Sequence, residues 1–189
     1  MTGIILLAAG SSSRLGTAKQ NLVYKGKTLL QRAIETARAS VCEPVIVILG
    51  ANSEAITPTI ADYDVTIVQN SDWAAGMGSS IAAGIKELEK ISTGSTSVIL
   101  MLCDQPFVDT WLLNLLIMSQ SKEGITVTAY NDTVGPPVLF DAVYFDELLE
   151  LKGAEGAKKV FQQYPHAISE VPFPPAGVDI DTMEDFERL

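Results

Sequence analysis

Short apolar runs recur along the chain at a spacing that few folds accommodate. They occupy residues 4–9, 44–49, 65–68, 98–103 and 125–129. The segments between them carry apolar residues with the period of a helix, so strand and helix alternate. This alternation predicts repeated βα units around a mostly parallel sheet, which is an α/β fold with helices on both faces.

Several helices are indicated by their N-terminal residues. Thr28 and Gln31 have the spacing of a capping box, and the segment 28–38 places Leu30, Ile34 and other apolar residues on one face. A second helix is expected after the small residues 76–80, and a third after Asp109. No long linker rich in proline, glycine or serine interrupts the chain, so we expect one domain over residues 1–189.

Charge and reactive side chains exclude several functions. The formal net charge is −10, whereas nucleic-acid binding requires clustered lysine and arginine. The single histidine, His166, excludes histidine-rich metal sites. Cys42 and Cys103 lie in or beside apolar runs and are expected in the core, unpaired. No apolar run suits a signal peptide or a membrane span, so we expect a cytoplasmic protein without nucleic-acid or membrane partners.

A glycine- and serine-rich loop, GSSSRLGTAK, follows the first apolar run. In an open parallel sheet this loop lies at the carboxyl edge, where ligands bind. The backbone N–H groups suited to phosphate oxygens are those of Gly10, Ser11, Ser12 and Ser13. Arg14 and Lys19 supply the positive charge that would balance a phosphate. A solvated turn fits the same residues.

Two common phosphate-binding motifs do not match. The P-loop places lysine directly after its second glycine, but two residues separate Gly16 from Lys19. The dinucleotide-binding motif G-x-G-x-x-G requires glycine where Ser12 stands. The later pair Gly76 and Gly78 continues to Ile81 where the third glycine belongs. Neither motif therefore identifies the ligand of this loop.

Acidic residues follow two predicted strands. Asp104 ends one apolar run and Pro106 stops the strand, so the Asp104 carboxylate is expected at the carboxyl edge of the sheet. Asp179 and Asp181 alternate about Ile180 in a predicted final strand, so only one of them faces the site. Asp104 also fits an ordinary turn, and Asp181 fits the start of the last helix.

Motifs along nearly the whole chain resemble the MobA-like nucleotidyltransferase family. The stretch LAAGSSSRLGTAKQ, residues 7–20, carries every fixed letter of the family signature L-A-A-G-x-S-x-R-x-G-x-x-K. The further matches, in order, are GMGSSIAAGI at 76–85, DQP at 104–106, GPPVLF at 135–140 and DIDTMED at 179–185. Within the family, the chain is most similar to the branch that transfers cytidylyl groups to the molybdenum cofactor.

The resemblance implies a Rossmann-like, three-layer fold of the nucleotide-diphospho-sugar transferase type and a nucleotidyl transfer reaction. An acceptor phosphate such as that of molybdopterin attacks the α-phosphorus of a nucleoside triphosphate, and pyrophosphate leaves. CTP is the preferred donor because guanylyl-transferring relatives tend to carry glycine where Ala9 stands.

The resemblance also implies roles for single residues. Arg14 holds the terminal phosphates, Lys19 stabilises charge near the α-phosphate, and Asp104 and Asp181 hold Mg²⁺. Arg14, Lys19 and Asp104 are the implied catalytic residues. The implied substrate-binding residues are Leu7, Ala8, Ala9, Gly10, Ser11, Ser12, Ser13, Gly78, Ser79, Ser80, Gln105 and Pro106. Ser79 and Ser80 also fit simple helix caps.

The acceptor side departs from the family pattern. Relatives usually show G-D-x-G-A-R where this chain reads GAEGAK, so Ala154 and Lys158 replace aspartate and arginine. Lysine keeps the charge but lacks the planar fork of arginine. Pro136 and Met183 replace a histidine or asparagine and a proline. Two alternatives to molybdopterin transfer therefore stay open: transfer to a sugar or polyol phosphate, and a nucleotide-binding accessory protein that assists a molybdoenzyme or its maturation without transferase activity.

Overall fold

A computed structural model describes residues 1–12 and 17–189 of the chain. The strands are β1 (Thr2–Ala8), β2 (Val23–Tyr24), β3 (Lys27–Thr28), β4 (Val45–Leu49), β5 (Thr66–Gln69), β6 (Ser97–Leu102), β7 (Ile125–Tyr130), β8 (Thr133–Asp141) and β9 (Ile168–Pro172). The α-helices are α1 (Leu29–Arg38), α2 (Ser53–Ile56), α3 (Met77–Ile91), α4 (Thr110–Met118), α5 (Phe145–Leu149), α6 (Lys158–Gln163) and α7 (Met183–Glu187).

The central sheet has seven strands in the order β5-β4-β1-β6-β8-β7-β9. Strands β5, β4, β1 and β6 pair in parallel, and β9 is parallel to β7. Strand β8 is antiparallel to both of its neighbours, β6 and β7. The sheet is therefore mostly parallel, as the alternation of strand and helix predicted.

Alternate residues of β1 pack into two separate cores, one on each face of the sheet. Ile4 and Leu6 belong to the core that also contains the buried residues of α1 and α4. Ile5 and Leu7 belong to the opposite core, with residues of α3, α5 and α6. Because both faces are covered, the strand reads as a continuous apolar run rather than an alternating one.

The predicted helix starts at Thr28 and Asp109 are confirmed. The Thr28 hydroxyl accepts a hydrogen bond from the backbone N–H of Gln31, and the Gln31 side chain accepts one from the backbone N–H of Thr28. Asp109 Oδ1 accepts from the backbone N–H of Leu112 at 2.8 Å. These bonds satisfy N–H groups that a helix leaves without partners at its first turn.

The prediction of a final strand around Ile180 is wrong. The last strand is β9, and the chain leaves the sheet at Phe173, before the turn Pro174–Gly177. Ile180 is fully buried and its backbone N–H donates to the Asp104 carbonyl at 3.0 Å, outside any strand pairing. A buried residue between an exposed Asp179 and a partly buried Asp181 looks the same in an extended loop as in a strand, because the sequence does not display a pairing partner.

Both cysteines lie in the core, as the sequence predicted. Cys42 and Cys103 are buried and do not form a disulfide, and His166 is exposed in a short turn. Within residues 1–12 and 17–189, no helix has the length and apolar character needed to cross a membrane.

The capping box of α1 yields a stability prediction. Replacing Thr28 with alanine removes the hydroxyl that accepts from the backbone N–H of Gln31, so the free energy of unfolding should fall by about 1 kcal/mol. Urea denaturation of T28A against the parent protein measures the change. Thr28→Ser keeps the accepting hydroxyl and should stay close to the parent, and equal stability of all three proteins would contradict the assigned cap.

Candidate active site

A cavity opens at the edge of the sheet where the carboxyl ends of β1 and β6 lie side by side. Its volume is about 330 Å³, and we call it the loop cavity. It is lined by Leu7, Ala8, Ala9, Gly10, Ser11, Lys19, Gln20, Trp73, Ala74, Gly76, Met77, Ser80, Leu102, Cys103 and Asp104. The lining thus contains the predicted residues 7–11 and two of the predicted charged groups, Lys19 and Asp104.

Lys19 brings together two carboxylates from distant parts of the chain. Its Nζ donates to Asp104 Oδ2 at 2.6 Å and to Asp181 Oδ1 at 3.1 Å. It also lies 3.4 Å from the Ile180 carbonyl oxygen, a weaker contact. The Lys19 and Asp104 side chains are only 17% and 13% exposed, so their charges are poorly screened by water. The structure therefore unites three of the predicted charged residues in one cluster.

This cluster keeps Lys19 positively charged. Burial alone would lower the pKa of the lysine, but the Asp104 carboxylate and hydrogen bonds to Asp104 and Asp181 outweigh that effect and raise the pKa above its usual value. The neighbouring Cys103 is 5% exposed, and burial followed by the Asp104 charge raises the pKa of its thiol to about 12. Cys103 thus stays a neutral thiol and is unsuited to act as a nucleophile.

The same carboxylates fit a divalent ion that brings its own phosphate ligands. Asp104 Oδ1 is buried and, within the part of the chain that the structure describes, accepts no hydrogen bond. Among those residues, no group of three or more histidine, cysteine or acidic side chains is arranged to hold a metal by itself. Mg²⁺ typically takes one or two protein carboxylates and completes its shell with phosphate and water. Asp104 and Asp181 match that donor set.

Gln20 holds the first part of the loop in place. Its side chain is 1% exposed, and Nε2 donates to the carbonyl oxygens of Ala8 at 2.8 Å and Gly10 at 3.0 Å. The hydroxyl of Ser12 accepts from the backbone N–H of Lys19 at 2.9 Å, with Ser12 at a φ of 54°. These bonds connect the end of β1 to the segment that carries Lys19. Ser13 and Arg14 lie outside the described residues, so their roles stay predictions.

Asn70, the residue directly after β5, binds two serines in the first turn of α3. Asn70 Nδ2 donates to Ser79 Oγ at 2.9 Å and to Ser80 Oγ at 3.0 Å. The Ser79 hydroxyl in turn lies within hydrogen-bond distance of the Gly76 carbonyl oxygen, at 2.8 Å. Ser80 lines the loop cavity, whereas Ser79 does not. The alternative, that these serines are helix caps, is wrong for α3, because its N-cap residue is Gly76 and no side chain caps its first turn.

Gln105 and Pro106 point away from the loop cavity. Gln105 is buried, and its Nε2 donates to the carbonyl oxygens of Pro136 at 2.9 Å and Ala176 at 2.8 Å. Gln105 and Pro106 line a separate cavity of about 120 Å³ on the α1 side of the sheet. Gln105 therefore connects β8 to the C-terminal segment through these two hydrogen bonds.

A close backbone contact places the GAEGAK segment beside the start of α3. Gly76 has a φ of 114°, and a Cβ there would lie 2.1 Å from the Gly153 carbonyl oxygen. The backbone N–H of Gly78 donates to that same oxygen at 3.2 Å. A side chain at position 76 would both strain the backbone and collide with Gly153. Gly76 thus packs against residues 153–154, and Gly78 packs against the backbone of Leu151 and Lys152.

Sequence reasoning assigned no role to Gln20, Asn70 or Trp73, although all three shape this edge. Gln20 directly follows Lys19, and Asn70 directly follows a strand, the position that also marked Asp104. The general signal is a polar residue at the carboxyl end of a parallel strand. Trp73 had no such signal, because its place beside Gly50 depends on the packing of two loops.

The sequence of this chain is similar to those of known proteins. A profile of the MobA-like NTP transferase domain matches residues 4–168. Nicotine blue oxidoreductase from Paenarthrobacter nicotinovorans is 31% identical over 100% of this chain and 96% of that protein. Molybdenum cofactor cytidylyltransferase from Escherichia coli (strain K12) is 24% identical over 96% of this chain and 92% of that protein.

A solved structure is similar over the same extent. The crystal structure of Rv0371C in complex with manganese, from Mycobacterium tuberculosis H37Rv, has a TM-score of 0.81 and 31% sequence identity. The match covers 100% of this chain and 96% of that one. A protein of this fold therefore binds a divalent metal ion.

The Gln20 bonds predict a coupled loss of stability and of nucleotide binding. In Q20M, the Ala8 and Gly10 carbonyls lose their donor, so unfolding should become easier by about 1–3 kcal/mol. The affinity for nucleoside triphosphate, measured by titration calorimetry, should fall as well, because the loop after β1 loses its anchor. Gln162→Met changes an exposed glutamine and should leave both quantities unaltered. Full nucleotide affinity in Q20M would contradict the anchoring role.

Proposed function

This chain belongs to the family of proteins with a MobA-like NTP transferase domain, and we propose that it moves a cytidylyl group from CTP to molybdopterin. One observation carries the proposal. The charged cluster of Lys19, Asp104 and Asp181 stands at the rim of the loop cavity, at the carboxyl ends of parallel strands. That position suits a triphosphate, because ligands of open α/β sheets bind there.

The proposed reaction is an in-line displacement at phosphorus. An oxygen of the acceptor phosphate forms a bond to the α-phosphorus of CTP, and the bond from that phosphorus to the bridging oxygen of the β-phosphate breaks. Pyrophosphate leaves with the electron pair, and the product is a diphosphate that joins acceptor and cytidine. Such chemistry depends on positioning and charge stabilisation and requires no protein nucleophile. The inert thiol of Cys103 is consistent with it.

Each residue of the cluster then has a defined task. The backbone amides after β1 bind phosphate oxygens, and Lys19 stabilises the charge that develops near the α-phosphate. Asp104 and Asp181 would hold Mg²⁺, which when bound neutralises and orients phosphate oxygens. The manganese complex of the related mycobacterial protein supports a divalent ion in this role.

The preference for CTP rests on Ala9. This residue is 7% exposed and lines the loop cavity. The resemblance associates alanine here with cytidylyl transfer. The Escherichia coli relative with that activity matches this chain over most of its length, which supports the same donor.

The nucleotide-binding accessory protein is the second candidate, and the altered GAEGAK segment favours it. A protein of that kind would bind CTP but release no pyrophosphate with any acceptor. Transfer to a sugar or polyol phosphate would instead show pyrophosphate release that requires such an acceptor.

The central test measures pyrophosphate release from CTP, GTP, ATP and UTP, with molybdopterin and Mg²⁺. We expect release with CTP above the other nucleotides, and a reduction of about 100- to 1,000-fold in K19M, because one preorganised charge is lost. Lys122→Met removes an exposed charge remote from the cavity and should react like the parent protein. Release with GTP alone, or no change in K19M, would refute the proposal.

Metal dependence is a separate prediction. A chelator such as EDTA should abolish pyrophosphate release, and added Mg²⁺ should restore it. In D104N the Mg²⁺ concentration for half-maximal rate should rise by about tenfold or more. Loss of a residue that only orients a metal ligand already weakens metal affinity by at least about tenfold, and Asp104 is proposed as a ligand itself. Binding of Mn²⁺ in the presence of CTP, followed by electron paramagnetic resonance, gives a readout independent of turnover. Asp62→Asn, on the exposed surface, should match the parent.

A further inference from the structure

Asp181 is the member of the charged cluster that its own surroundings hold least firmly. Asp104 comes shortly after β6, and its side chain is 13% exposed. The side chain of Asp181 is 46% exposed, and residues 178–181 belong to no helix or strand. The position of Asp181 beside Lys19 therefore depends on how the residues before it are anchored.

Gln105 holds the middle of the segment that carries Asp181, which comprises residues 173–181. Its Nε2 donates to the carbonyl oxygen of Ala176 at 2.8 Å and to that of Pro136, in β8, at 2.9 Å. A side-chain amide nitrogen carries two hydrogens, so both of them have partners. Ala176 is 1% exposed, so water would not easily replace Gln105 as the partner of its carbonyl. Gln105 thus fixes this segment to the sheet.

The end of the same segment is bonded to the residue that precedes Gln105. The backbone N–H of Ile180 donates to the Asp104 carbonyl at 3.0 Å, and the Ile180 side chain is fully buried. Asp104 and Gln105 therefore hold the segment at two points, one through a backbone carbonyl and one through a side chain. Asp181 follows directly, and its Oδ1 accepts from Lys19 Nζ at 3.1 Å. One dipeptide thus supplies one carboxylate of the cluster and locates the other.

A purely stabilising role describes Gln105 poorly. Within the part of the chain that the structure describes, its Oε1 is buried and accepts no hydrogen bond. A buried acceptor without a partner lowers stability, so packing alone would favour an apolar side chain here. Gln105 does not line the loop cavity, so it makes no contact with a ligand bound there. Its contribution is a pair of donors at a fixed place.

We propose that Gln105 is a positioning residue, which places the Asp181 carboxylate beside Lys19 and Asp104 by holding the segment 173–181. The proposal rests on the proposed function, since it takes Asp104 and Asp181 to bind the metal ion that accompanies the nucleotide. It assigns to Gln105 an action through Asp181, in place of the substrate contact that the family resemblance implies.

Hydrogen–deuterium exchange of residues 176–182, followed by mass spectrometry, tests the anchoring directly. Gln105→Met removes both donors from a side chain of similar length. The exchange rate of this segment should rise about five- to tenfold, the change in opening that loss of one hydrogen bond produces. Gln105→Asn keeps an amide that is one methylene too short, and it should raise exchange as well if Q105M does not fold. Unchanged exchange in the folded Gln105 variants would overturn the proposal.

Thr128→Val is the matched control for a general loss of stability. The Thr128 hydroxyl is buried and donates to the Pro137 carbonyl, also in β8, at 2.7 Å. T128V therefore loses a buried hydrogen bond to the same strand but none to the segment 173–181. Urea denaturation should show a stability loss in T128V, whereas the exchange of residues 176–182 should match the parent.

The affinity for Mn²⁺ in the presence of CTP, measured by electron paramagnetic resonance, tests the consequence for the site. Q105M should weaken it about tenfold, the lower end of what loss of a residue that orients a metal ligand causes. T128V should bind Mn²⁺ like the parent. In a D181N background Q105M should have no further effect, because the carboxylate that Gln105 positions is gone. An equal loss in T128V, or a full tenfold loss in the D181N background, would overturn the proposal.

The two measurements also separate this proposal from the proposed function. Failure of the parent protein to bind CTP and Mn²⁺ would refute the proposed function, and the exchange measurement would still decide whether Gln105 anchors the segment. Normal binding of both by the parent, with exchange and Mn²⁺ affinity unchanged in Q105M, would refute the positioning role alone.

Discussion

The contact of Lys19 with two carboxylates is the interaction on which the site depends. Its partners stand 85 and 162 residues away along the chain, so the cluster forms only when the first loop, the end of β6 and the C-terminal segment are all in place. Charges buried to this extent are tolerated because they are paired, and removing one partner would leave the others uncompensated. The N-terminal and C-terminal parts of the chain are thus joined by this charged cluster as well as by packing.

The acidic character of the chain makes the local positive charge of Lys19 more important for binding an anion. A net charge of −10 repels a free triphosphate at long range, so binding depends on local positive charge and on a cation that accompanies the phosphates. Lys19 supplies the local charge, and its raised pKa keeps it cationic. Under the proposed function, the two carboxylates would serve a ligand that arrives with its own metal.

The fold was predictable where local chemistry determines it. Apolar runs identified β1, β4, β5, β6 and β7, and the capping residues Thr28 and Asp109 identified two helix starts. Strand β8 was not predicted, because it contains glycine and two prolines that usually argue against a strand. The segment around Ile180 was misassigned, since pairing is a property of the sheet and not of the segment. For the site, strand-end positions and family motifs indicated Lys19, Asp104 and Asp181, whereas the roles of Gln20 and Asn70 depend on carbonyl and hydroxyl groups that only folding brings near.

The contact between Gly76 and Gly153 has an evolutionary consequence. It attaches residues 153–158 to the start of α3 through backbone atoms, so the contact does not depend on which side chains follow. Substitutions at Ala154 or Lys158 can therefore occur while this backbone contact, the loop after β1 and its charged cluster stay as they are. The sequence of this short segment can thus vary while the backbone contact that positions it is retained.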